Sequence, residues 1–171
     1  MIDTITRWMR GLGSNLDRQA IFVPLSSIGD RLSSKSLVSA GLVIKAGASP
    51  TVKTGATDYY AVCKGAIVKK VAATDMPALS GTVANGQFNV FAFFIDGAGT
   101  LTTLIGAPGA TLNAVRQPAP PPGTAQLGLL IVNPTGTGPF VGGTTALDDA
   151  TVVPNAVYIN TIGAYDPTIL V

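Results

Sequence analysis

The sequence predicts a mainly β chain: a β-sandwich or jelly-roll-like domain over residues 36–171, behind an N-terminal arm, residues 1–35, that carries a short amphipathic helix. Three observations predict it. Short runs rich in Val, Ile, Thr, Ala and Phe recur along the chain, each closed by a turn signal. The 20 Gly and 12 Pro are dispersed rather than pooled in one tract, as many turns between short strands require. The strongest apolar runs, Phe88–Ile95 and Leu127–Val132, are apolar on both faces, the mark of strands covered on both sides.

In order along the chain, Ile2, Ile5, Trp8, Met9 and Leu12 recur at helical spacing, and Asp3 is placed to cap the start. Gly11 and Gly13 end the pattern after two or three turns. A helix so short is not stable alone in water and needs a surface to pack on. Residues 14–35 read as an extended arm with one more helical turn. Leu37–Lys45 is a strand candidate ended by Gly47-Ala48-Ser49-Pro50. Asp58–Val71 is a longer candidate interrupted at Gly65, where a bulge or tight bend fits. Phe88–Ile95 is the central strand, and Asp96-Gly97-Ala98-Gly99 turns it back into Thr100–Ile105 as a hairpin. Pro118–Pro122 is a stiff extended connector that cannot join a central sheet. Leu127–Val132 is a second buried strand, closed by Asn133-Pro134. Residues 135–155 form a Gly-, Thr- and Pro-rich loop with Asp148-Asp149 at its tip. Val157–Ile162 is the last strand.

Composition narrows the function. The chain has no His and no Glu, and its nine acids are all Asp. Charged residues are 12% of the chain, against about 25% in an average soluble domain, while hydrophobic residues are 47%. Too little charge is available to cover the surface, so some of it is expected to be buried against other copies or another protein. Ten of the eleven basic residues lie in residues 1–70, which points that segment toward an acidic surface. The basic residues are scattered and not interleaved with aromatics, which argues against a nucleic-acid partner. No apolar run approaches the ~20 residues of a membrane helix, and Met1–Arg7 does not read as a signal peptide. No membrane partner is expected.

The residue inventory leaves little chemistry. A nucleophile paired with His is excluded by the absence of His. Ser34 and Lys35 are adjacent, but adjacency does not bring side chains together. A single Cys, Cys63 in Tyr59-Tyr60-Ala61-Val62-Cys63, reads as a buried small hydrophobe, and one Cys without His cannot hold zinc. Asp148 and Asp149 could contribute oxygens to a calcium ion but do not make a site alone. Asp96-Gly97-Ala98-Gly99 joins two strands, whereas a phosphate loop opens a helix. No enzymatic activity and no cofactor is expected. The interface candidates are Ile2, Ile5, Arg7, Trp8, Met9, Arg10 and Arg18, an amphipathic and basic set around the chain's single Trp.

The order of motifs carries a resemblance. A hairpin, Phe88-Asn89-Val90-Phe91 through Thr100, is followed by Gly106-Ala107-Pro108-Gly109-Ala110, the Pro-rich Pro118–Gly123 and Gln126–Asn133. A Gly-rich loop with Phe140-Val141-Gly142-Gly143-Thr144-Thr145-Ala146-Leu147 closes the series. Over residues 37–165, and most over 88–147, this resembles tailed-bacteriophage virion proteins of the decoration (cement), head-fibre and tail-fibre type. The resemblance implies a structural role in a virion, assembled in the host cytoplasm. The implied partners are the major capsid protein or other virion proteins, with a homo-oligomer, trimer favoured. The short, repeat-free chain favours a decoration protein that clamps neighbouring capsomers. A head- or tail-fibre adhesin subunit binding a host surface receptor is the alternative, and a host-encoded β-sandwich binding module is a third.

Overall fold

The computed structural model describes residues 25, 28–30 and 32–164. Leu25, residues 28–30 and residues 32–33 are helical, which places one short helix directly before the first strand. The described residues then form a mainly β, sandwich-like domain of antiparallel sheets. The strands are β1 (Lys35–Ser36), β2 (Val43–Ile44), β3 (Val52–Lys53), β4 (Tyr59–Cys63), β5 (Ala66–Lys70) and β6 (Thr82–Val83). They continue as β7 (Asn89–Ile95), β8 (Leu101–Ile105), β9 (Ala125–Val132), β10 (Phe140–Val141) and β11 (Val157–Asn160).

The main sheet has the order β11-β9-β7-β8, and the second has the order β1-β4-β5. β7 is central, as its two apolar faces predict, and all seven of its residues are buried. Phe91, Phe93 and Ile95 turn inward to meet Tyr59, Ala61 and Cys63 of β4 together with Leu127, Leu130 and Val132 of β9. The buried–exposed alternation of β4 fits a strand with one face on the core. Between Phe93 and Phe94 the β7–β9 register shifts: Phe93 pairs with Gly128 but Phe94 with Gln126. The extra residue, Leu127, is a β-bulge and joins the core.

The other face of β7 presents Val90, Ala92 and Phe94, buried with Leu129 and Ile131 of β9 and with Val115. The chain order explains that cover. β8 ends at Ile105, opposite Phe91, and β9 starts at Ala125, opposite Ile95. The connector must therefore return from the level of Phe91 to that of Ile95, about 13 Å at ~3.3 Å per residue. It begins against this face: Gly106 N–H donates to the Val90 carbonyl, Ala107 bridges Arg116, and Val115 packs on Val90. The proline run Pro118–Pro122 suits this path. Proline has no N–H to leave unsatisfied, so it can lie on a sheet without joining its ladder.

Three predicted elements differ. The interruption at Gly65 is a hairpin turn: Cys63 pairs with Ala66 across Lys64 and Gly65, with φ of 50° and 82°. Positive φ at both central residues defines the turn whose twist matches a hairpin. Asp58–Val71 is thus two strands rather than one. The strand predicted at Leu37–Lys45 is absent as a unit and only Val43–Ile44 pairs, with β3. Leu37 N–H donates to the Tyr60 carbonyl, the Ala40 carbonyl accepts Gly55 N–H and Lys45 N–H donates to the Thr51 carbonyl, so the segment divides its backbone among separate partners, and side chains claim part of the rest. The Ser36 hydroxyl donates to the Val38 carbonyl, Gly41 N–H donates to Ser39 Oγ, and Leu42 N–H donates to Asn160 Oδ1. Such local bonds compete with a ladder. The predicted last strand ends at Asn160 rather than Ile162. The chain then crosses to the second sheet, where Gly163 pairs with Ser36 and donates its N–H to the Ser36 carbonyl.

Candidate interaction surfaces

Among the described residues, the candidate reactive side chains Cys63, Ser34, Asp148 and Asp149 have structural occupations. Cys63 is buried, and its Sγ donates to the Ile95 carbonyl at 3.3 Å. Burial pushes its thiol above the usual cysteine range, which suppresses the reactive thiolate. A thiol reagent such as Ellman's is therefore expected to label the native protein far more slowly than the urea-unfolded chain, and equal labelling rates would contradict this packing. Ser34 is buried with its Oγ accepting Lys64 N–H at 3.0 Å, while its neighbour Lys35 is exposed. The two do not form a nucleophile–base pair.

The acids act as loop clamps. Asp148 accepts Ala48 N–H with both carboxylate oxygens, and Asp149 Oδ1 accepts from Thr151 N–H and Oγ1 at 2.9 and 2.6 Å. The Thr151 bonds hold the Asp149 carboxyl below its usual range. Asp96 Oδ1 accepts Ala98 and Thr100 N–H in the β7–β8 turn. Asp58 pairs with Lys69 at 2.7 Å, and the bond from Lys69 is the main reason its carboxyl sits low. Among the described residues no three metal-ligating side chains cluster, so Asp148 and Asp149 gather no third partner. The Tyr59 hydroxyl is buried without a protein partner, and desolvation pushes its phenol well above the usual range.

What stands out instead is apolar exposure. Leu25, Ile28 and Leu32 share one helical face at three- and four-residue spacing and are 53–64% exposed. Leu37 and Val38 follow them after β1, and Val157, Ile159 and Ile162 are exposed on the last segment. The Ser36–Gly163 bridge brings these two distant segments together, with Leu37 and Ile162 each one residue beyond the paired positions. Val157 and Ile159 pair with Ile131 and Leu129, which puts them on the outer face of the main sheet. A second, mixed surface is the outer face of β4 and β5. There Tyr60 pairs with Lys69, whose ammonium lies 5.9 Å from the Tyr60 ring, and Ile67 is 71% exposed.

The interface candidates Ile2, Ile5, Arg7, Trp8, Met9, Arg10 and Arg18 lie outside the described residues. The surface at residues 25–38 and 157–162 was not read from the sequence. An apolar residue in a strand looks the same whether the fold covers it or not. The available signal was the absence of any charged residue from position 150 to 164.

No protein-family model, no curated protein and no solved structure matches this chain.

Proposed function

We propose that this chain is a non-enzymatic structural protein of a virion, a capsid decoration (cement) protein that binds and stabilises neighbouring capsomers. The observation that carries the reading is the exposed apolar surface on residues 25–38 and 157–162. None of the exposed apolar side chains of that surface belongs to the buried core, so burying them serves something outside the fold. The resemblance of residues 37–165 to phage virion proteins supplies the class of partner. The structural occupations of Cys63, Ser34, Asp148 and Asp149 support action by binding alone.

The test adds the purified full-length protein to capsids that lack it. Binding is expected to saturate at the stoichiometry of the capsomers and to raise the temperature at which the shell releases its DNA. Absence of binding, or binding with unchanged shell stability, overturns the cement reading.

A further inference from the structure

We propose that β11 is a homotypic docking edge. Two copies of the chain join by antiparallel β11–β11 pairing, making one continuous eight-stranded sheet across a two-fold axis. The proposal deepens the assembly reading above by naming one surface and one partner, a second copy, and it rests on that reading only for its purpose.

The argument begins with which sheet edges are guarded. Unpaired edges invite pairing with another chain, and proteins blunt them with charge, proline, bulges or covering segments. β8, one edge of the main sheet, has neighbours: Thr103 Oγ1 donates to the Pro77 carbonyl, and Ile105 packs against Gly81. All five β8 residues are partly buried. β5, the edge of the second sheet, carries Lys69 and Lys70. β11 has none of these guards. It reads Val-Tyr-Ile-Asn, its flanks are uncharged from 150 to 164, and its ladder with β9 runs without a bulge.

The backbone phase fixes the register. Thr161 N–H donates to the Leu127 carbonyl, so Thr161, Ile159 and Val157 direct their backbone groups toward β9. Tyr158 and Asn160 therefore direct theirs outward, and among the described residues no backbone group bonds to them from that side. A second β11 related by a two-fold axis through Ile159 places Tyr158 opposite Asn160 of the other copy, and the reverse. All four outward-facing N–H groups and carbonyls of each copy's two residues are then matched in closely spaced antiparallel pairs. The Ile159 side chains of the two copies face each other as a non-hydrogen-bonded pair, the closer type. Val157 and Ile159, 49% and 40% exposed in the single chain, lose that exposure.

Charge decides the occupant. An edge with no charge offers nothing to orient a charged strand. A head-to-tail contact would need β8 or β5, the first already flanked and the second basic. Self-pairing needs only the open β11 edge, and it closes after two copies. Two-fold order also separates this contact from the trimer that the phage resemblance implies.

The experiment uses the full-length protein at micromolar concentration. Sedimentation velocity is expected to give a dimer, and Ile159→Lys, which sets two ammonium groups at the axis, is expected to give a monomer with an unchanged far-UV spectrum. Ile67→Lys, on the exposed outer face of β5, is expected to stay dimeric. Hydrogen exchange on the unmodified protein reads the same contact without a variant: the Tyr158 and Asn160 amides gain protection as concentration rises through the dimerisation range. A monomer or trimer in the unmodified protein, a folded Ile159→Lys dimer, or concentration-independent exchange at both amides overturns the proposal. Capsid binding that persists in Ile159→Lys would leave the cement reading standing and mark dimerisation as separate from it.

Discussion

Replacing Phe91 with Ala is expected to destabilise the domain by about 3–5 kcal/mol, the usual cost of removing a fully buried Phe from a packed core. Phe91 is completely buried between the two sheets, and its ring meets Phe140 edge-on, with centroids 5.8 Å apart and planes at 68°. The truncation thus removes three things at once: apolar burial, filled volume and an aromatic pair worth about 0.5–1.5 kcal/mol beyond its area. Phe140 lies on β10, which pairs with β6, so the loss also loosens that two-stranded ribbon from the sandwich. For a chain of this length the change corresponds to a fall in Tm of about 6–20 °C. Thermal melting by circular dichroism checks it. A control at Ile67, 71% exposed, is expected to stay within about 0.5 kcal/mol on truncation to Ala. A shift of a degree or two for Phe91→Ala would contradict the placement of β7 at the centre.

Replacing Phe94 with Ala is expected to cost a similar amount, about 3–5 kcal/mol, for a different reason. Phe94 points to the opposite face of β7, where it is fully buried with Ala92 and Leu129 and with Leu104 packed beside them. On that face Phe94 packs with residues of β8 and β9, and the connector residues Leu112 and Val115 pack farther along against Val90 and Ile131. The loss is expected to show in the amides of β8 and of that connector. Hydrogen exchange followed by mass spectrometry separates the two variants. Phe94→Ala is expected to raise exchange in β8 and the 106–124 segment, and Phe91→Ala in β4 and the β6–β10 ribbon. Identical exchange maps would mean that the two faces of β7 do not have separate covers.

The pair shows what the sequence made legible. Phe88–Ile95 is apolar at both odd and even positions, and only a strand covered on both faces accommodates that; hence its centrality could be read locally. The β7–β8 hairpin was legible for the same kind of reason, since Asp96 carries the turn through its own side chain. β6, β10 and β3 were not legible, and β2 only as part of a longer candidate. Each is two residues long, too short to display a period, and each exists because a distant segment presents matching backbone groups. The strand expected at 37–45 failed because its backbone groups divide among separate partners, the side chains of Ser36, Ser39 and Asn160 among them, and Asn160 lies 118 residues from the Leu42 amide that it binds. The exposed surface was hidden in the same way. Val157 and Ile159 look like core residues in sequence, and only the order β11-β9-β7-β8 places them at an edge.

The Ser36–Gly163 bridge has a mechanical consequence. It is antiparallel, so Lys35 before Ser36 and Ala164 after Gly163 lie at the same end of the pair. Tension applied through both flanking segments meets this pair end-on, in the geometry of a zipper, where bonds break singly and in turn instead of sharing load in shear. From the C-terminal side the first bond in line is the Gly163 N–H to Ser36 carbonyl contact of 2.8 Å, and from the N-terminal side the Ser33 and Ser34 contacts with Gly65 and Lys64 come before it. Behind it stand the short β1–β4 ladder and the four-residue β11–β9 ladder. β7, flanked on both sides in the main sheet, lies off the line of force. A domain tethered at that pole would yield at its stitched margin under strain while its centre stays intact, and it could close again when the strain is released.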